Sequence, residues 1–202
     1  MNGALTGCCA TLCGGGLPPH PQIRSSAIAI YHASTKPLSR TSGRSSVAAA
    51  AYRSASLLRD DRTGEVHDYR RRTGVVSTAV VLPGNLSCDR QPLWSAAERA
   101  ERRKDARTAR EWEIALPAEL PRNSRETLTL AFACWLAERY EVAVDVAIHA
   151  PSRRGDDRNH HAHLMCSTRK VTLRDDGSPV LGEKSVAEFD NRQRAAAGLP
   201  TS

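Results

Sequence analysis

Three histidines carry the strongest chemical signal in this 202-residue chain: His149, then His161 and His163 beyond a polar loop. One histidine followed twelve residues later by His-x-His has the spacing of a metal-ligand set. Neutral imidazole binds divalent transition metals, and three protein ligands leave coordination positions open for a substrate. No fourth residue pairs obviously with the three, which argues against a closed structural zinc site. The competing explanation is a surface loop that happens to be rich in histidine, of which the neighbouring His160 would be an example.

For three imidazoles to meet, the backbone must bring them to one face. Before the loop, Val142, Val144, Val146 and Ile148 alternate, as in a strand with one buried side, so His149 falls opposite with Asp145 and Ala147. After it, His161 and His163 share a face while Ala162, Leu164 and Cys166 take the other. An antiparallel hairpin across the loop places His149 beside His161 and His163, because cross-strand neighbours lie about 4.5–5.5 Å apart. In the run 110–116 the apolar side is Trp112, Ile114 and Leu116, leaving Glu111 and Glu113 on the opposite, wet face. A carboxylate there could orient an imidazole, bind the ion or accept a proton, and two solvated glutamates fit the pattern equally well.

A metal with open positions beside a basic surface suits phosphoryl chemistry. The nucleophile would be water or a side chain. Of the tyrosines, Tyr140 closes a helix as packing and Tyr31 lies on a strand face opposite His32, whereas Tyr52 sits among alanines with room to lean on a sheet. A packed core tyrosine fits Tyr52 as well, and spacing does not choose.

Composition bounds the answer. This length suits one domain with its own core. Twenty-nine Lys and Arg against twenty-two Asp and Glu give a formal net charge of +7, favouring a polyanionic partner. Aromatics at 4% supply few stacking platforms of the RNA-recognition type. Six cysteines form no framework: Cys8, Cys9 and Cys13 crowd a Gly-rich start, while Cys134 and Cys166 read as buried thiols. There is no apolar run of membrane-spanning length and no signal-peptide pattern, so the expectation is a cytoplasmic protein with no membrane insertion.

Along the chain, residues 1–25 read as a disordered extension, and order is expected from a β-prone run at 26–32. A turn-rich stretch to Gly43 precedes a helix over 47–58 capped by Ser45 or Ser46, and Thr63-Gly64 signals a turn. A strand is expected at 75–82, a charged and solvated helix at 93–110, and a strand at 111–116. A helix over 121–140 should bury a stripe of Leu128, Phe132, Trp135 and Leu136. A second hairpin is expected around Asp175-Asp176-Gly177, then a helical and finally ragged end over 188–202, with 191–202 as the tail beyond the domain. The sum is an α/β (α+β) domain, an antiparallel or mixed sheet with helices on one face.

Four separated motifs occur in order: Ala29-Ile30-Tyr31-His32, Ser46-Val47-Ala48-Ala49-Ala50-Ala51-Tyr52-Arg53, Glu111-Trp112-Glu113-Ile114-Ala115-Leu116-Pro117, and Ile148-His149-Ala150 with Asn159-His160-His161-Ala162-His163-Leu164-Met165. Together they resemble the MobA/MobL family of plasmid mobilisation relaxases, particularly the relaxase domain of TraA-type conjugation proteins. The resemblance implies an HUH-endonuclease fold over residues 26–190, with related chains continuing beyond the 191–202 tail. It implies a divalent metal, Mg²⁺ or Mn²⁺, on His149, His161 and His163. Tyr52 would be the nucleophile that leaves a 5′-phosphotyrosine, with Glu111, or alternatively Glu113, as its acidic partner. The implied substrate is single-stranded DNA at an origin of transfer, with accessory relaxosome proteins and a coupling protein as further partners. Arg70, Arg71, Arg72, Arg153 and Arg154 are expected to follow the DNA backbone. Three alternatives stay open: a replication initiator or transposase with the same chemistry, a non-catalytic DNA-binding protein whose three-histidine site is structural, and a metal-dependent hydrolase that uses water, with Tyr52 merely packed.

Overall fold

The computed structural model of the protein describes residues 32–43, 45–152, 155–188 and 191–200. At its centre lie three long strands, β5 (Arg107–Leu116), β6 (Val142–His149) and β7 (His160–Leu173). Flanked by β1 (Ala33–Ser39) and β4 (Val75–Val81), they form a sheet in the order β1-β5-β7-β6-β4, and β8 (Pro179–Lys184) pairs with the far end of β7. Every pairing is antiparallel. The β7–β8 hairpin turns at Gly177, whose φ of 78° suits a residue without a Cβ. A small hairpin of β2 (Leu57–Arg59) and β3 (Val66–Asp68) stands apart and turns through Gly64.

Helices cover both faces of the sheet, not one. On one side, α1 (Ser46–Ser54) and α2 (Arg90–Ala100) enclose Val47, Ala50, Ala51, Leu93 and Trp94 with Ala109, Ala143 and Met165. On the other, α3 (Arg122–Tyr140) packs Ala133, Leu136 and Ala137 on Val144, Val146, Ile148, Ala162 and Leu164. The side expected to be wet is therefore enclosed at Glu111, which is fully buried. The strand β6 is buried along its whole length.

Local propensity and tertiary demand part company at three places. The first strand lies at Ala33–Ser39, inside the stretch expected to be turns, because it pairs in register with β5 from Ala33↔Ile114 to Leu38↔Ala109. Pro37 is tolerated there since β1 is an edge strand. The expected run 26–32 lies outside the described residues except His32. Helix α2 stops at Ala100, and residues 107–110 extend β5 between β1 and β7. The charged run is not a solvated face throughout: Glu98 is buried and accepts from Arg40 Nε at 2.8 Å and from the backbone N and Oγ of Ser46 at 2.8 and 2.7 Å. That carboxylate anchors the first turn of α1, beside the Ser45 hydroxyl that accepts from Val47 N–H. In α3 the expected stripe splits, with Leu136 buried but Leu128 and Trp135 48% and 53% exposed. Small Ala133 and Ala137 let the helix approach the sheet closely, which rotates the bulky residues to its flank, where Phe132 stacks on Trp135.

Helix α4 (Asn191–Ala196) occupies the expected helical tail. Cys166 is buried as expected and Cys134 only partly, while Cys8, Cys9 and Cys13 lie outside the described residues. No helix among the described residues is long and apolar enough to cross a membrane.

Candidate metal and nucleophile site

The β6–β7 hairpin brings the three histidines together as their alternation implies. His149 pairs directly with His161, and His163 lies opposite Ala147. The rings stand edge to face with centroids 4.9–5.3 Å apart. One ligand nitrogen from each falls within 4.8 Å of the other two.

Each ring is held by an oxygen that can only accept. His163 Nδ1 donates to Glu111 Oε1 at 2.7 Å, His161 Nδ1 to the Asn159 carbonyl at 3.0 Å, and His149 Nε2 to the Arg53 carbonyl at 2.8 Å. In a neutral ring a donor role for one nitrogen leaves the lone pair on the other, so His149 Nδ1 and the Nε2 atoms of His161 and His163 are the atoms left to bind an ion. Burial, partly opposed by the bond to Arg53, lowers the His149 pKa from 6.5 to about 4, which keeps that ring neutral near pH 7. Three imidazoles, each with one nitrogen fixed on an oxygen, form a donor set suited to a divalent transition metal. Magnesium, which prefers oxygen ligands, suits an all-nitrogen set less well.

Glu111 sits at the hub. Burial would raise its pKa, but hydrogen bonds from His163 and Arg53 outweigh that and hold it at about 2. The Arg53 guanidinium grips both carboxylate oxygens, Nη2 to Oε2 at 2.6 Å and Nε to Oε1, and donates back to the Ala49 carbonyl of its own helix. A buried carboxylate costs several kcal/mol unless paired and hydrogen-bonded, and here both conditions are met. Glu113, on the same face, bonds to Lys36 at 3.0 Å and lines a cavity of about 310 Å³ with His32, Asp156, Asn159 and His161.

Tyr52 immediately precedes Arg53 in the last turn of α1, before Ala55 ends the helix in the left-handed region at φ 52°. It is 46% exposed, so its ring is not a core residue. The ring is fixed on two sides: Tyr69 meets it edge-on at 5.2 Å, and the Arg72 guanidinium lies 3.6 Å over its centre while donating to the Tyr52 carbonyl. A cavity of about 470 Å³ opens beside it, lined by Lys36, Leu38, Ala48, Ala49 and Arg53 among others.

The arginines expected along a DNA path divide. Arg72 is committed to Tyr52, Arg70 forms a bidentate pair with Asp68, and Arg71 is exposed next to them. Arg153 and Arg154 lie outside the described residues. Sequence reasoning missed Arg53 as the link between the helix and the histidines. Its position after Tyr52 was visible, but its partner lies 58 residues along the chain and only folding reveals it.

The MobA/MobL family profile matches residues 44–197. The mobilization protein MobL of Acidithiobacillus ferridurans is 41% identical over 180 residues, covering 79% of this chain and 47% of MobL. The conjugal transfer protein TraA of Rhizobium radiobacter is 32% identical over 173 residues, covering 79% of this chain and 15% of TraA. The chain thus spans about half the length of MobL and a smaller share of TraA. A solved structure from work on the molecular basis of vancomycin resistance transfer in Staphylococcus aureus superposes with a TM-score of 0.66 at 27% identity, covering 86% of this chain and 96% of that one. With a family profile over residues 44–197 and a relative 41% identical over 79% of its length, the chain belongs to the MobA/MobL family.

Proposed function

We propose that this chain is a relaxase that nicks one strand of DNA at a plasmid origin of transfer, with Tyr52 as the nucleophile. The observation that carries the reading is the adjacency of Tyr52 to the histidine cluster through Arg53, whose carbonyl accepts from His149. In the proposed step the Tyr52 hydroxyl oxygen bonds to phosphorus as the P–O3′ bond breaks. The proton lost by the phenol is balanced by one gained at the leaving 3′ oxygen. The products are a 5′-phosphotyrosine and a free 3′-hydroxyl, and the retained phosphoester lets the same site rejoin a strand.

His149, His161 and His163 would hold the divalent ion, with Mn²⁺ favoured over Mg²⁺ by the nitrogen donors. When bound, it would supply positive charge against the non-bridging phosphate oxygens. Glu111 then acts through His163 and Arg53: an ionised carboxylate already accepting from both, with a pKa of about 2, is a poor base for the phenol. Arg72 keeps the Tyr52 ring in place, and the exposed Arg71 offers a cation to the incoming backbone.

The test uses Mn²⁺ and labelled single-stranded oligonucleotides tiling the DNA that flanks the gene, resolved on a denaturing gel. A protein–DNA adduct, absent from Tyr52→Phe, is the expected result. Cleavage without an adduct would assign a hydrolase that uses water. Tight binding without cleavage would assign a structural metal site.

A further inference from the structure

We infer that Arg53 is a positioning residue that couples occupancy of the three-histidine site to the placement of Tyr52, an inference that rests on Tyr52 being the nucleophile. Two of the three imidazoles reach α1 through this one residue. His149 does so directly, Nε2 to the Arg53 carbonyl at 2.8 Å. His163 does so through Glu111, whose oxygens accept from His163 Nδ1 at 2.7 Å and from the Arg53 guanidinium. The same guanidinium is tied back by Nη1 to the Ala49 carbonyl at 3.1 Å, so it stands as a strut between helix and strand. Tyr52, one residue away, is held by Tyr69 and Arg72, both in the segment that follows α1.

The direction of the coupling follows from hydrogen-bond chemistry. An imidazole whose acceptor nitrogen is coordinated to a cation becomes a stronger donor at its remaining N–H. Both bonds that end on Arg53 or on its carboxylate partner therefore tighten together, and the last turn of α1 is drawn against β5 and β6. Linkage makes the effect reciprocal, so a displaced α1 terminus weakens ion binding by the same factor. Only arginine spans both carboxylate oxygens as a fork, and lysine keeps the charge without the geometry.

Hydrogen exchange of the full chain, with and without Mn²⁺ alone, tests this in the wild type and in Arg53→Lys. Lysine is chosen because it does not leave the buried Glu111 unpaired. In the wild type, Mn²⁺ should slow exchange across the end of α1 as well as in β6 and β7. In Arg53→Lys the protection gained by α1 should be roughly halved or less, while that of β6 and β7 persists. On single-stranded DNA the variant should lose about tenfold or more in kcat for adduct formation with KM little changed, the mark of lost positioning. Insensitivity of α1 to Mn²⁺ in the wild type, or wild-type coupling and kcat in Arg53→Lys, would overturn the inference. The expected exchange pattern with no adduct from any version would keep the coupling and refute the nuclease.

Discussion

The two faces of the central sheet are made by the same strands and do opposite things. On the α3 face, alternate residues of β5, β6 and β7 are apolar, and Val144, Val146, Ile148, Ala162 and Leu164 meet small residues of the helix. On the α1 face, the intervening positions carry Glu111, Asp145, His149, His161 and His163. There, burial is compensated by polar partners: Asp145 accepts from Arg90 and from Trp94 Nε1 at 2.7 Å, and Glu111 accepts from Arg53 and His163. Hydrophobic packing tolerates some slack, because dispersion is non-directional and a neighbour can shift. A charged network has no such freedom, since an unpaired buried carboxylate costs several kcal/mol. The apolar face stabilises the sheet, and the polar face uses that rigidity to hold three rings in fixed orientations.

Substitutions on each face should therefore separate chemistry from stability. Removing the Tyr52 hydroxyl should have the largest effect on function and almost none on folding. Tyr52→Phe should reduce covalent DNA adduct on a denaturing gel to the blank while leaving the thermal midpoint and Mn²⁺ affinity unchanged. Residual adduct at the wild-type rate would move the nucleophile elsewhere.

On the apolar face, Leu136→Ala should destabilise by about 2–5 kcal/mol in urea unfolding, since the side chain is fully buried. Mn²⁺ affinity of the folded fraction should be unaffected, and a large change there would show that the two faces are not independent. Across the sheet, Glu111→Gln keeps the shape and removes the charge. It should weaken Mn²⁺ binding about 10–100-fold by calorimetry, because His163 loses its charged acceptor.

The pH dependence follows from His149. Its pKa is lowered from 6.5 to about 4 on folding, so between those values the unfolded chain binds a proton that the folded chain does not. Falling pH across that window therefore favours unfolding of the metal-free protein, and the contribution is fully recovered above 6.5. Urea midpoints measured across the window should show this slope, and His149→Gln should flatten it. The smallest effect belongs to Leu128→Ala at the exposed flank of α3, expected within about 0.5 kcal/mol of wild type by the same unfolding measurement.

Alternation made the histidine hairpin legible, because a strand with one buried side announces which residues lie opposite. The apolar periodicity that located α3 did not give its rotation: Leu128 and Trp135 share the helical period with Leu136, yet the alanines decided which side meets the sheet. The local pattern of the charge run ending at Arg110 implies solvent, whereas burial at Glu98 depends on Arg40 and Ser46, each more than fifty residues away. The first strand was hidden for the same reason. A seven-residue edge segment containing Lys36 and Pro37 has weak β propensity, and only its register with β5 makes it a strand.

The sequence by itself determined that three imidazoles share one face of a hairpin, that two glutamates alternate onto the neighbouring strand, and that an alanine-rich helix carries an aromatic hydroxyl. These are consequences of period and side-chain type, which are local. The tertiary structure alone decided that Glu111 is a buried hub, that each imidazole has one nitrogen on an oxygen and the other left for an ion, and that Arg53 joins Tyr52 to the cluster. Those are contacts between segments far apart in the chain, and their geometry exists only once the sheet has closed between its two helical layers.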